Sequence, residues 1–478
     1  MKKEISRSNQ FILTNQSIST INYVTDYSQE VDTAKNPYFT SDTSGHYLFS
    51  EEENNVTLPI FFGDYKTIKI PKGLKRRVKR LPKKVLKPID SDIEIAIEKC
   101  FMFISTLTST VFNEDDYWKS LSSTILHEQF KKGKDNTRIY KRIIDALSYS
   151  TDSTEPIIEC RKNQHGNDSY QQDSYSKQYR LHSSSINQNL KSYNIKFENN
   201  IQKRKEKHNK DIATALKNPI GYNLIALYPK VILPTDEDIE KQGKKLVKEK
   251  YRTKKRKLLT LLNKKPKSYY SNLENRSFVE ENIKLYKYLA GDKYMIPKIG
   301  KESSGGRVVD SFNLMPSWIR KMIKIDDEPT VELDFKALHP NIAMLIYGGT
   351  QYQITHQKVA EEMNFPLNEI KIEHLSFFNK KVANMKKSPL YQYYFNREKT
   401  MLKNLIQDKK RYGYKITSKR LFKKEVNIMS SIIKELNRLN IYVLYVYDAL
   451  YCKASDKNIV TEIMNRIILK HKVHTSIG

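Results

Sequence analysis

The chain has 478 residues, 84 basic and 54 acidic, for a formal net charge of +30. With 38% hydrophobic and 11% aromatic residues it is too apolar for a disordered basic tail, and the charge points to a polyanion, nucleic acid before an anionic membrane surface. Three cysteines, Cys100, Cys160 and Cys452, allow no C-x-x-C spacing, which argues against a cysteine zinc site or a disulfide framework and fits a reducing compartment.

Residues 1–6 are basic with no apolar run behind them, so no signal peptide is expected. Residues 1–65 are rich in Ser, Thr, Asn and Asp and read as short strands and loops. Residues 66–87 hold eleven Lys or Arg and no acid, Lys75, Arg76 and Arg77 among them. Such a run neutralises phosphates with salt-dependent, sequence-independent affinity, and a solvated linker is the plain alternative. Ser91-Asp92-Ile93-Glu94 has the S-x-x-E form of a capping box and opens a helical stretch to residue 149, with further helices over 115–132 and 136–148. Asp92 and Glu94 also spell a D-x-E found in some exonuclease sites, but capping explains them without a partner motif. The longest apolar stretch, 100–112, is broken by Ser and Thr and reads as too short to span a bilayer, so an intracellular protein without a membrane partner is expected.

Residues 150–200 are polar, with strand-like alternation over 174–181. Residues 200–270 read as helical and basic: 241–267 carry thirteen Lys or Arg against the single acid Glu249, with Tyr251, Tyr269 and Tyr270 in or beside the run. A solvated helix would mix Glu with its Lys, whereas basic residues interleaved with aromatics suit a phosphate backbone and stacked bases. Lys254, Lys255 and Arg256 therefore join Lys75, Arg76 and Arg77 as nucleic-acid-binding candidates. Glu302-Ser-Ser-Gly-Gly306 reads as a flexible joint. The chain thus divides into a loop-rich region 1–90, a helical basic region 91–300 and a more ordered region 301–478.

In the last region a turn at Glu328-Pro329-Thr330 leads into a strand, Val331-Glu332-Leu333-Asp334-Phe335, then an apolar helix from Leu338-His339-Pro340-Asn341 to Gly348-Gly349. Farther on, an amphipathic helix (Val426, Met429, Ile432, Ile433, Leu436) precedes two short strands with Asp448 at their bend, and another helix follows over 458–470. Two carboxylates at strand ends can hold two Mg²⁺ ions about 4 Å apart for in-line phosphoryl transfer, although a strand-end Asp is commonly a turn residue.

Asp334-Phe-Lys-Ala-Leu-His-Pro-Asn-Ile resembles motif A of nucleic-acid polymerases, both the D-Y-S-x-I-E of family A DNA polymerases and the D-x-x-S-L-Y-P-S-I of family B. Val446-Tyr447-Asp448-Ala449 resembles motif C of family A, with Tyr447 where that family has His. Gly306-Arg307 and Trp318-Ile-Arg320 are similar to the Gly-Arg segment ahead of motif A in phage and mobile-element members. Lys399 and Lys403, with Tyr412-Gly413 after them and Arg397 as an alternative first member, match the helix that grips the incoming triphosphate; a solvated basic helix is the alternative. The resemblance, over roughly 305–470, implies an α+β fold with a C-terminal palm, an antiparallel sheet with helices. Asp334 and Asp448 would be catalytic and bind two Mg²⁺ (or Mn²⁺) ions, Lys399, Lys403, Arg397 and Tyr412 would hold deoxynucleoside triphosphates, and Arg307 would contact nucleic acid. Three departures stand out. His339 replaces the Glu that screens the sugar 2′-OH, Ala449 replaces the Glu after the second Asp, and the 413–448 interval is short, so the fingers must be reduced.

The expectation is a template-directed polymerase of a phage, plasmid or mobile element, acting on a DNA template and primer. The alternatives are a non-catalytic DNA-binding replication protein, a single-subunit phage-type RNA polymerase, and a metal-dependent nuclease.

Overall fold

The computed structural model describes residues 65–112, 117–131, 137–169, 176–186, 189–263, 265–291 and 296–478, together with the backbone of four short strands before residue 50. Those strands, Phe11–Leu13, Ile21–Val24, Phe39–Ser41 and His46–Phe49, pair antiparallel in the order first, second, fourth, third, in keeping with the expected short strands. With 57% helix and 14% strand the protein is α+β.

The chain forms two compact units that interleave in sequence rather than follow one another. One is Asp64–Lys210 with Arg256–Glu281; the other is Met1–Gly63 with Asp211–Lys255 and Asn282–Gly478.

In the first unit β1 (Thr67–Pro71) pairs antiparallel with β2 (Leu190–Asn194). The basic run supplies α1 (Leu74–Lys79), which buries Leu74 and Val78 and exposes Lys75 and Arg76. The central helix is α2 (Ile93–Leu107). Its cap is Asp92, one residue later than the S-x-x-E reading placed it, with the carboxylate accepting from the Glu94 and Ile95 N–H groups at 2.8 and 3.3 Å. Asp92 is therefore used as a cap, and the D-x-E needs no further account. With the short turn that follows, the apolar rod runs Ile93–Phe112, 20 residues at mean hydropathy 1.4 and 67% buried. That is longer than the sequence reading allowed and, by length alone, enough to cross a bilayer. Its apolar sides are already covered within the unit by Ile70, Val78, Leu86, Ile143, Leu147 and Leu181, as suits a helix apolar all round. The expected helices over 115–132 and 136–148 shorten to Ser123–Phe130 and Ile139–Leu147. The strand expected in 174–181 is Gln178–Leu181. α3 (Glu198–Lys217) carries the chain across the division between the units.

The second unit is built on a five-stranded antiparallel sheet. Its strands are β3 (Val231–Ile232), β4 (Lys324–Ile325), β5 (Glu328–Asp334), β6 (Leu444–Val446) and β7 (Ala449–Lys453), in the spatial order β3-β4-β5-β7-β6. The turn expected at 328–330 lies two residues earlier, at Asp326 and Asp327, both with positive φ (48° and 64°). The helices around the sheet include α4 (Pro219–Leu227), α5 (Asp236–Lys248), α6 (Leu338–Tyr347), α7 (Lys399–Tyr412), α8 (Ile416–Arg438) and α9 (Lys457–Lys470). α8 packs against α4, α6, α7 and α9 through Leu421, Ile428, Met429, Ile432, Ile433 and Leu436. Asn223 of α4 ties the sheet to that layer: its side chain donates to the Val443 carbonyl at 2.6 Å and accepts from the Val443 N–H at 3.0 Å.

Two further expectations change. The basic run 241–267 is helical only to Lys248; Lys250, Arg256 and Asn263 take positive φ, and Leu258–Thr260 is a strand. From Glu249 to Lys257 the only apolar side chain is that of Tyr251, so no stripe holds a helix against a core, and helix propensity alone does not sustain one. The joint at 302–306 is an ordered turn closing a hairpin of Lys298–Ile299 with Val308–Val309. Gly305 (φ +97°) is held there by close approach to α8, since a Cβ would lie 2.4 Å from the Phe422 Cβ.

Candidate functional site

β5 ends at Asp334, and β6 and β7 form a tight hairpin whose two-residue loop is Tyr447-Asp448. The β5–β7 register sets Asp334 opposite Ala449, the residue after Asp448, and the Phe335 N–H donates to the Asp448 carbonyl at 3.3 Å. Two residues 114 positions apart thus become neighbours, one at a strand end and one in the loop beside it. Residues 476–478 run along the other side of the same strand end: the Gly478 N–H donates to the Asp334 carbonyl at 2.9 Å and the Lys336 N–H to the Ser476 carbonyl at 2.8 Å.

Both carboxylates sit beside strained backbone. Tyr447 (φ +59°) immediately precedes Asp448, and Ala337 (φ +51°) caps α6 just after β5. Left-handed conformations cost a non-glycine residue on the order of 1–2 kcal/mol and persist only where the surroundings impose them, which is commonest at functional sites.

The electrostatics match a buried acid pair. Burial raises the Asp334 carboxyl, the charge of Asp448 raises it further, and it titrates at about 7, with Lys254 and Lys336 opposing the rise. Burial also raises Asp448, with the Glu425 charge adding to it and His339 and Arg307 opposing it. Glu332 shares the Asp334 face of β5, two residues back, and its carboxylate meets the Lys254 ammonium at 3.4 Å.

Behind the pair lies a charged cluster. The Arg307 guanidinium donates through Nε and Nη2 to the two oxygens of Glu425, at 2.8 and 2.6 Å. His339 Nε2 sits 2.7 Å from the same carboxylate. Glu425 is fully buried; burial alone would raise its pKa, but the hydrogen bonds from His339 and Arg307 outweigh that and hold it below the usual value. The guanidinium also stacks between two rings, 3.7 Å from the Phe422 centroid and 4.5 Å from that of Tyr447.

The cationic candidates separate into two groups. Lys254 and Arg307, expected on nucleic acid, lie at the carboxylate site, where Arg307 is committed to Glu425. The triphosphate candidates have local partners on and beside their own helices. Arg397 pairs with Glu362 at 3.1 Å, Lys399 lies over the Phe395 ring at 5.6 Å, Lys403 is exposed, and Tyr412 is exposed beside Arg411. α7 meets α6 at its far end, where Asn404 donates to the Tyr347 carbonyl at 2.9 Å. That end is about 15 Å along α6 from its start beside Asp334. Among the described residues none of these four side chains makes a recorded contact with Asp334 or Asp448.

In the other unit Lys75 lies 5.6 Å over the Tyr193 ring and Arg76 is exposed. Arg77 is instead fastened inward, donating to the Ser184 and Ser185 hydroxyls and to the Glu155 and Pro156 carbonyls at 3.0–3.1 Å. It ties α1 to the 155–156 and 184–185 segments of the unit. Lys255 and Arg256 have protein interactions of their own.

Sequence reasoning missed Glu425, Phe422 and Glu332. Glu425 was detectable: four residues after Leu421 and four before Met429, it is an acid on the apolar stripe of α8.

Among the described residues no three of His, Cys, Asp and Glu converge as a closed metal cage. The donor set does fit Mg²⁺, which binds through one or two carboxylates and completes its shell with water and substrate phosphates. The raised pKa values of Asp334 and Asp448 mark negative charge that a cation would relieve. No protein-family model matches the chain, and no curated protein matches it in sequence.

Proposed function

We propose that the protein is a template-directed nucleic-acid polymerase with a palm built on β5, β6 and β7, extending a DNA primer with deoxynucleoside triphosphates inside the cell. The observation that carries this reading is the adjacency of Asp334, at the end of β5, and Asp448, in the loop that leads into the neighbouring antiparallel strand β7, in residues that resemble polymerase motifs A and C. Asp334 and Asp448 would hold two Mg²⁺ ions, which when bound would activate the primer hydroxyl and neutralise the leaving pyrophosphate. Lys254, beside Glu332 and Asp334, is placed to meet a phosphate of the nucleotide or primer. His339, held by Glu425 and next to the Phe422 ring, would screen the sugar 2′-OH. Lys399, Lys403, Arg397 and Tyr412 would hold the triphosphate. The exposed lysines and Arg76 on and around α1 supply a phosphate-backbone grip.

Primer extension with Mg²⁺ and deoxynucleotides, on the wild type and Asp334→Asn, tests this reading. Extension by the wild type alone supports it. Intact DNA binding with no extension by either protein sinks it in favour of a non-catalytic nucleic-acid-binding protein. Extension with ribonucleotides alone would make the protein an RNA polymerase, and loss of labelled DNA without nucleotides would make it a nuclease.

A further inference from the structure

We propose that Arg307 is a positioning residue for Asp448, holding the strained Tyr447-Asp448 turn so that the Asp448 carboxylate is presented to a cation; this rests on reading Asp334 and Asp448 as a cation-binding pair.

The turn cannot hold itself. Tyr447 at φ +59° is in a conformation that an aromatic residue leaves unless its surroundings oppose the change. Its ring meets Tyr445 edge-on at 6.4 Å and the Arg307 guanidinium face-on at 4.5 Å. The guanidinium is itself immobile. Phe422 covers its opposite face at 3.7 Å, and the bidentate pair with Glu425 fixes its plane. Glu425 belongs to α8, the helix most widely packed in this unit, so the reference point is rigid.

The delivery of Arg307 is equally constrained. The Gly300 N–H donates to the Arg307 carbonyl at 2.9 Å, and a Cβ on Gly300 would come within 2.6 Å of that oxygen. Gly305 lets the turn seat on Phe422. Two glycines, one on each side of the hairpin, therefore place the guanidinium between Phe422 and Tyr447. The Arg307 guanidinium is bonded to Glu425 and acts on the Asp448 carboxylate directly only by its charge. Its hold on the position of that carboxylate runs through the Tyr447 ring, whose residue adjoins Asp448 in the chain. A lysine could match the charge of Glu425, but it has neither a planar face to stack nor a fork to lock.

The test is Mn²⁺ binding to the full chain, without nucleotide or nucleic acid, followed by electron paramagnetic resonance well below the melting temperature. Supporting partners of metal ligands typically change affinity by 10–100-fold when replaced. Arg307→Lys is expected to weaken Mn²⁺ binding by about tenfold or more while keeping a charge beside Glu425. Tyr447→Ala should lose a similar factor, and the double variant should lose little more than either single one, because both break one linkage. A purely structural role would lower the melting temperature and leave the affinity of the folded protein unchanged, which would overturn the proposal; so would full additivity. If Arg307→Lys does not fold, Tyr447→Ala decides, and unchanged affinity there also overturns it. Failure of the wild type to bind Mn²⁺ would overturn the cation-pair reading instead.

Discussion

Asp334 ends its strand one residue from the hairpin loop that carries Asp448. Asp334 is paired with Ala449, and the peptide N–H just after Asp334 donates to the Asp448 carbonyl. This backbone link fixes the two acids independently of any ligand. It brings two negative charges together in a half-buried setting, which costs stability when both are ionised. Such a cost is characteristic of a site kept for its chemistry.

Removing one of those charges should therefore stabilise the metal-free protein. Asp334→Asn keeps the shape of the side chain and deletes the repulsion. At pH 8 it is expected to raise the melting temperature by a few degrees, about 1 kcal/mol, while abolishing Mn²⁺ binding and primer extension. Differential scanning calorimetry of both proteins in the presence of a chelator gives the comparison. A lower melting temperature for the variant would show that Asp334 is held by favourable partners.

The pH dependence follows from the same pair. Asp334 titrates at about 7 in the folded protein against an ordinary value of 3.8. A raised carboxyl contributes stability that is complete below the unfolded value and is lost as pH rises through the folded one. The metal-free wild type should thus lose stability from pH 5 to pH 8 relative to Asp334→Asn, which lacks this proton. A bound cation needs the deprotonated carboxylates, so its stabilising effect must grow over the same window. Melting curves with and without Mn²⁺ at pH 5, 6, 7 and 8 provide the measurement. A metal-induced shift that stayed flat across that range would contradict the assignment.

The sequence exposed most of this site because its signals are local. Alternation in 331–335, the apolar run to Gly348, and the short strands around Asp448 each fix an element without reference to anything distant, and the structure places their ends within three residues. What failed was whatever depends on tertiary contact. Composition could not show that the basic run leaves its helix after Lys248, because the charge continues unbroken while the apolar residues that decide the packing return only at Leu258. Nor could it show that Gly305 and Gly306 form an ordered seat for Arg307, since two glycines read equally as a joint or as a close approach. The interleaving of the two units is set by long-range packing, which no local periodicity encodes.

The basic run 66–87 should divide by role when its members are replaced singly. Lys75 and Arg76 are exposed on α1, so Lys75→Ala and Arg76→Ala should leave the melting temperature nearly unchanged. Each should lower by about one the slope of log K against log salt for DNA binding. Arg77→Ala should instead destabilise the unit by about 2 kcal/mol, because it strands two serine hydroxyls and two backbone carbonyls. Fluorescence anisotropy across a salt series, with thermal melts alongside, separates the two effects. A salt slope that fell for Arg77→Ala in fully folded protein would return that residue to the phosphate-binding group.

The same unit depends on one buried acid. Glu98 is fully buried on α2, and its carboxylate accepts from the Lys196 N–H at 2.7 Å, the Asn200 amide at 2.8 Å, the Tyr193 hydroxyl at 3.2 Å and the Phe197 N–H at 3.3 Å. These bonds fasten the core helix to the segment between β2 and α3. Glu98→Ala leaves several donors unsatisfied in a closed interior, each costing about 1–3 kcal/mol, so a loss of at least about 3 kcal/mol is expected. Glu98→Gln fits the same space and keeps an acceptor, so it should cost clearly less. Urea unfolding monitored by far-ultraviolet circular dichroism would show the ranking as a shift in midpoint, with the alanine variant lowest. Equal midpoints for the two variants would mean that the negative charge of Glu98, rather than the number of acceptors it offers, is what holds the segment in place.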